Sequence, residues 1–356
     1  MPAPRRAATG LAVAVLGVLA TGVGVGVGIR HAQKVGLSVP TVVGLALLVT
    51  GVLLLGAAVA GFWQRVHGLR RLWLLPAALL ALVGLYVVAV PVAVTVVPPT
   101  AHPAGSTPAA RGLDAEEVEF TTADDVRLSA WWVASENGAA VVLLHGAGET
   151  RAATVPQADV LAAHGYGVLL VDARGHGDSD GRGMDLGWHG DADVGAAVDF
   201  LEGRDDVDPD RIGVLGLSMG GEEAIGAAAA DPRIRAVVAE GATGRTAADK
   251  DTWLPGGVSG AVQRVLDRLS YAVVDLLTAG SPPRSLREAV TDSGAPFLLI
   301  TAGTVPDEER AAEVLRDAAP QRVQVWTVDG ATHTHALSAE PDEWEERVTS
   351  FLDGAL

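Results

Sequence analysis

The sequence predicts a doubly wound, mainly parallel α/β domain preceded by three membrane-crossing helices. Three observations carry this reading. Charge is segregated: residues 1–111 hold no Asp or Glu and only eight Lys or Arg, so all 43 acids of the 356-residue chain lie beyond them, against 18 bases. Three acid-free apolar stretches follow one another at 11–29, 42–63 and 72–97. From Glu116 onward, short Val, Leu and Ile runs alternate with amphipathic segments, as in strands buried on both faces and separated by helices.

Each N-terminal stretch reaches the ~20 residues a helix needs to cross the hydrocarbon of a bilayer. The first fits a cleaved secretory signal less well, because its apolar run is long and two more follow. Lys and Arg are retained in cytoplasmic loops. Arg5 and Arg6 in the tail and Arg65, Arg70 and Arg71 in the second loop outweigh Arg30, Lys34 and Arg111 on the other side. Three crossings from a cytoplasmic tail place everything after Val97 outside the cytoplasm. The expected location is therefore a cell membrane, with the catalytic domain extracytoplasmic. Within "TGVGVGVG" (Thr21–Gly28), Gly22 with Gly26 and Gly24 with Gly28 have the four-residue spacing that lets helices approach closely. Pro98, Pro99, Pro103 and Pro108 mark a linker over 98–112. The membrane domain is thus 1–97 and the second domain 113–356. That domain is too acidic to follow nucleic acid. The chain has no cysteine, which excludes disulfides, thiolate catalysis and Cys-ligated zinc.

In the second domain, "VEFTTADDVRLSAWWV" reads as an edge hairpin turning at Ala123–Asp125. Strands follow in "AAVVLLHG", "YGVLLVDARGHG", "RIGVLGLSMGG", "IRAVVAEG", "PFLLITAG" and "VQVWTVDG". Helices are expected at 191–202, 222–230, 308–319 and 342–352. Ligands of such sheets bind beyond the carboxyl ends of the strands. This sequence collects its Gly, Ser, His and Asp there.

"GLSMG" (Gly216–Gly220) runs a strand straight into a helix with Ser218 at the junction. Small residues on both sides allow the tight turn, which projects the hydroxyl outward at a helix N-terminus. A plain capping serine is the structural alternative. In "HGAG", Ala147 can bring a backbone N–H to a reacting carbonyl and form an oxyanion hole with Met219. His145, at the strand end, is read as a prop for that loop. "VDARGHGDSDG" lacks paired metal-ligand spacing. Asp172 and Arg174 are read there as satisfying backbone groups in a structural loop, and no metal is expected.

The ordered set "HGAG", "DARGHGDSDG", "GLSMGGEEA", "FLLITAG…DE" and "DGATHTHAL" resembles the α/β-hydrolase superfamily. The likeness extends to bacterial serine hydrolases related to dienelactone hydrolases and to prolyl-oligopeptidase-type, acyl-aminoacyl peptidases. It covers about 116–356. The resemblance implies an α/β-hydrolase fold, a Ser, acid, His triad in that chain order, and no metal or organic cofactor.

That family pattern sets the acid in the loop after "PFLLITAG", where Asp307 and Glu308 both lie. Asp307 is preferred for its distance from the strand end, although Gly303 is followed by Thr304, Val305 and Pro306 rather than the usual Gly-x-x-Asp. Glu240, ending the preceding strand, is an outside candidate. His333 follows Gly330 by three residues, as in the G-x-x-H turn of relatives, and is preferred to His335, which is assigned to the pocket rim or solvent. Residues 242–290 exceed a plain crossover and suggest a small cap, with Trp253 and Leu254 facing the pocket or the membrane. The expected function is a membrane-anchored serine hydrolase acting on carboxylic esters or amides of small molecules, lipids or peptides. A peptidase, an acyltransferase or a non-catalytic binding module on the same fold are the alternatives.

Overall fold

A computed structural model of the chain describes residues 3–98, 100–103 and 105–356. The side chains of residues 3–7, among them Arg5 and Arg6, and the whole of Pro99 lie outside the described residues. The chain divides into two compact units: residues 1–99 with 265–279, and residues 100–264 with 280–356.

In the first unit, three helices are long and apolar enough to cross a membrane: Ala8–Val35, Val39–Arg65 and Gly68–Thr95. The first two run past the apolar stretches read from sequence, because Arg30, Lys34 and Arg65 continue the helices as polar ends. Ser38 starts the second helix by accepting a bond from the Thr41 N–H at 3.3 Å. The glycine repeat is π-helical over Gly24–Ile29, and its two registers address different partners. A Cβ on Gly24 would lie 2.4 Å from Leu48 N, and one on Gly28 2.6 Å from the Gly44 carbonyl carbon, so this pair faces the second helix. Gly22 and Gly26 instead abut Val88 and Val92 of the third. In lipid, such close backbone packing replaces the hydrophobic drive that water would supply.

The second unit holds an eight-stranded sheet of order β1-β2-β4-β3-β5-β6-β7-β8. Its strands are β1 (Ala115–Thr121), β2 (Arg127–Val133), β3 (Ala140–Leu144), β4 (Gly167–Val171), β5 (Ile212–Leu217), β6 (Ile234–Glu240), β7 (Phe297–Ala302) and β8 (Val323–Val328). The β1–β2 hairpin is antiparallel, and β2 joins β4 antiparallel; β3 to β8 are mutually parallel. Alternation sends Val142, Leu169, Val214 and Val237 to the core on one face, and Leu143, Leu170, Leu215 and Val238 to the other. Each such side chain contributes about 1.5–3 kcal/mol by leaving water. The carboxyl ends of β3, β5, β6, β7 and β8 therefore present His145, Ser218, Gly241, Gly303 and Asp329 along one edge.

Segment 242–290 forms the helices Ala247–Trp253, Gly257–Leu277 and Leu286–Asp292. Trp253 departs from its expected place in a pocket or at the membrane. It is buried, and its indole N–H donates to Thr243 O at 2.8 Å, which draws the ring into the domain. The linker is likewise attached to the second unit. The Gly177 N–H donates to Thr100 O at 3.1 Å, His102 Nε2 lies 3.1 Å from Asp178, and Pro108 is buried at the start of a short 3-10 turn. Residues 100–112, read from sequence as part of a linker, thus belong with the second unit.

Candidate active site

At the end of β5 the chain reverses at Ser218, with φ +54° and ψ −119°, and the helix Met219–Ala230 begins at the next residue. A non-glycine residue held there costs about 1–3 kcal/mol, so its surroundings must enforce it. They do so by contact. A Cβ on Gly216 would lie 2.1 Å from Gly220 O, and one on Gly220 2.6 Å from Leu144 O. The Ser218 N–H is tied to Glu240 O at 2.7 Å, locking the turn to the adjacent strand.

His333 reaches this serine from the loop after β8. Its Nε2 lies 2.8 Å from Ser218 Oγ, and its Nδ1 lies 2.6 Å from Glu308 Oε1. The second Glu308 oxygen accepts the Ala302 N–H at 2.8 Å, and the side chain is fully buried. Glu308, not Asp307, therefore stands behind His333, which corrects the preference drawn from loop spacing. Pro306 opens the helix Pro306–Ala318 with both acids in its first turn. Asp307 points the other way, to solvent, and pairs with Arg310 at 2.5 Å. Among the described residues Glu240 makes no hydrogen bond to His333: its Oε1 accepts the Ala336 N–H at 2.8 Å. His335 is exposed and donates Nδ1–H to His333 O at 2.6 Å.

The Glu308 hydrogen bond raises the His333 pKa above its ordinary 6.5, against the opposing effect of partial burial. His145 moves the other way. Burial, with His176 nearby, brings it down to about 3, so its ring is neutral. Its Nδ1–H donates to Gly146 O at 2.7 Å and its Nε2 accepts the Ala173 N–H at 3.0 Å, which fixes the loop carrying Ala147. Ala147 is exposed at that loop, and Met219 opens the helix after Ser218. Neither backbone N–H donates a hydrogen bond among the described residues.

Asp172 accepts the Arg151 N–H at 2.7 Å and the Asp178 N–H at 3.0 Å. Arg174 differs from its reading as a backbone partner: it bridges the carboxylates of Asp124 and Asp193. His102, Asp172 and Asp178 could together face a cation. The Arg151 guanidinium already supplies positive charge there, 2.8 Å from Asp178. Sequence reasoning also missed Glu222, whose Oε1 accepts the Gly244 N–H at 2.8 Å and the Thr243 N–H at 3.0 Å, binding the loop after β6 to the serine's helix. Its place one helical turn beyond Ser218 was the available signal.

The sheet order and the serine at its strand-to-helix turn give this chain an α/β-hydrolase fold with a serine hydrolase-like site. The family model described as serine aminopeptidase, S33, matches residues 135–290, a stretch that contains Ser218 and ends before Glu308 and His333. The chain is 36% identical over 127 residues to thiohydrolase AneE of Aspergillus aculeatus, covering 34% of this chain and 40% of that protein. It therefore spans less than half the length of that relative. Uncharacterized protein YfhR of Escherichia coli is 27% identical over 252 residues, covering 68% of this chain and 82% of its own. Among solved structures, the Pyrococcus furiosus esterase Pf2001 is 26% identical with a TM-score of 0.57, covering 74% of this chain and 98% of that one.

Proposed function

We propose that the protein is a membrane-anchored serine hydrolase that cleaves carboxylic esters or related acyl compounds through an acyl-enzyme. Ser218 is the nucleophile, His333 the base and Glu308 the triad acid; Ala147 and Met219 supply the oxyanion hole. The observation that carries this reading is the continuous chain from Ser218 Oγ through His333 to buried Glu308, at 2.8 and 2.6 Å.

In the first half-reaction Ser218 Oγ attacks the acyl carbon while its proton passes to His333 Nε2. The carbonyl oxygen gains the negative charge, and the two backbone N–H groups face it. Glu308 stabilises the imidazolium so formed and keeps Nδ1 protonated. Collapse breaks the bond to the leaving group, which takes the proton from Nε2. Water, deprotonated by the same nitrogen, then attacks the ester of Ser218; collapse breaks the Oγ–acyl bond, releases the acid and returns the proton from Nε2 to Ser218 Oγ. The His333 side chain is 48% exposed, so solvent reaches the base.

A second reading is acyl transfer. It is supported by acyltransferase DrtE of Aspergillus calidoustus, 35% identical over 131 residues. Transfer differs only in an alcohol or amine replacing water as the acceptor. The basic loops favour an extracytoplasmic catalytic domain. Labelling of intact cells by a membrane-impermeant fluorophosphonate tests nucleophile and orientation together. Label that persists in Ser218→Ala would sink the nucleophile, and label that requires lysis would sink the orientation. Product analysis with added alcohol separates transfer from hydrolysis.

A further inference from the structure

Residues 1–111 carry eight Lys or Arg and no acid. Arg65, Arg70 and Arg71 sit together where the second spanning helix passes into the third. Arg71 is already engaged: its guanidinium lies 4.0 Å over the Trp63 ring, and it donates to Val66 O at 2.9 Å and to Trp63 O at 3.3 Å. Arg65 donates once, to Gly61 O at 2.8 Å. Arg70 is exposed, and its side chain makes no hydrogen bond or ion pair among the described residues. Beside them opens a cleft of about 980 Å³, walled by Leu11, Ala14, Ala58, Phe62 and Ala78 and bordered by Arg65. An adjoining recess of about 460 Å³ reaches from Arg65 to Arg70.

We propose that this cleft holds one anionic phospholipid, its acyl chain along the apolar wall and its phosphate between Arg65 and Arg70. Two features select this occupant. The cleft wall is hydrocarbon, so a soluble anion would leave it wet, whereas an acyl chain fills it. The rim is doubly cationic, so a zwitterionic lipid would bring an ammonium towards two guanidiniums, whereas a glycerol headgroup brings none. Basic pockets between spanning helices bind acidic headgroups for this reason. The site rests on the reading that these helices span a bilayer, because only then does the cleft open to acyl chains.

The test is native mass spectrometry of the full chain released from mild detergent, with phosphatidylglycerol and phosphatidylcholine of identical chains offered at equal concentration. One phosphatidylglycerol per chain is expected, preferred about 25-fold, at about fivefold for each arginine. R65Q/R70Q should reduce that preference below about threefold. K34Q/R111Q, which removes two charges outside the cleft, should keep it. Ala78→Phe should lower retention of both lipids by filling the cleft. Equal retention of the two lipids by the parent chain, or the same loss in K34Q/R111Q, would overturn the site. Retention of glycerol phosphate as strong as that of the lipid would overturn the lipid as occupant. Alkaline extraction of membranes tests the spanning reading separately: release of the chain overturns that reading and the site with it, while a retained chain without lipid preference overturns the site alone.

Discussion

Replacing Glu308 by Gln separates catalysis from folding. The fully buried carboxylate makes two bonds, to His333 Nδ1 at 2.6 Å and from the Ala302 N–H at 2.8 Å. A Gln carbonyl can keep the second bond, so the fold loses little. Its amide N–H₂, facing Nδ1, forces the proton to Nε2, where His333 can no longer accept from Ser218. Loss of the acid's role in a serine triad costs about 10⁴ in turnover, or about 5 kcal/mol of barrier. Glu308→Ala should show the same kinetic loss and also leave the Ala302 N–H buried and unpaired, at about 1–3 kcal/mol of stability. Asp307→Ala removes a half-exposed surface pair with Arg310 worth under about 1 kcal/mol, and turnover should stay within about twofold. The assay is hydrolysis of p-nitrophenyl butyrate by the detergent-solubilised full chain, with thermal unfolding followed in parallel. An Asp307→Ala variant as inactive as Glu308→Gln would refute the assignment, as would a Glu308→Gln variant retaining a tenth of parent turnover.

The rising limb of kcat/KM against pH should have its midpoint above 6.5, because His333 acts as a neutral base and Glu308 raises its pKa. In Glu308→Gln the residual activity should turn on at lower pH; an unmoved limb would show that His333 is not the titrating group. A Gln carbonyl can still accept the Ala336 N–H that Glu240 Oε1 takes at 2.8 Å, so Glu240→Gln should retain most turnover. Glu240→Ala should lower the unfolding free energy by about 1–3 kcal/mol as the Ala336 N–H loses its acceptor, checked by denaturant melts. Gly216→Ala should destabilise by about 3 kcal/mol or more, since its methyl would meet immovable backbone at 2.1 Å. Gly195→Ala, with nothing within 4 Å in a helix interior, should stabilise by about 0.5–1 kcal/mol, and equal melting temperatures for the two variants would contradict the packing argument.

The three long apolar helices were legible because length and the lack of acids mark such segments almost alone. The parallel sheet was legible because β3, β4, β5 and β7 are buried at every position, which leaves no polar face to obscure the apolar runs. Ends of elements were less so. Polar residues such as Arg30 and Arg65 extend a helix without adding hydropathy, and the attachment of the linker depends on His102 meeting Asp178, 76 residues away in sequence. Trp253 was misread for a related reason: an indole's burial depends on where its N–H finds an acceptor, here Thr243 O, and no local pattern encodes that.

The proposed triad acid differs, because its signal lay in the sequence in another periodicity. Distance from a strand end treats Asp307 and Glu308 as neighbours on a loop, but Pro306 has already started a helix, and on a helix adjacent residues point about 100° apart. Counting forward in helical steps, Glu308 shares a face with Ala311, Ala312 and Leu315, all buried, whereas Asp307 is followed three residues on by Arg310, its exposed partner. The apolar stripe fixes which side of the helix meets the sheet, and a carboxylate on that stripe is carried inward with it. It can stay there because the Ala302 N–H and His333 Nδ1 satisfy its two oxygens. Helix phase therefore selects Glu308, and the buried partners explain why a charged side chain is tolerated at that place.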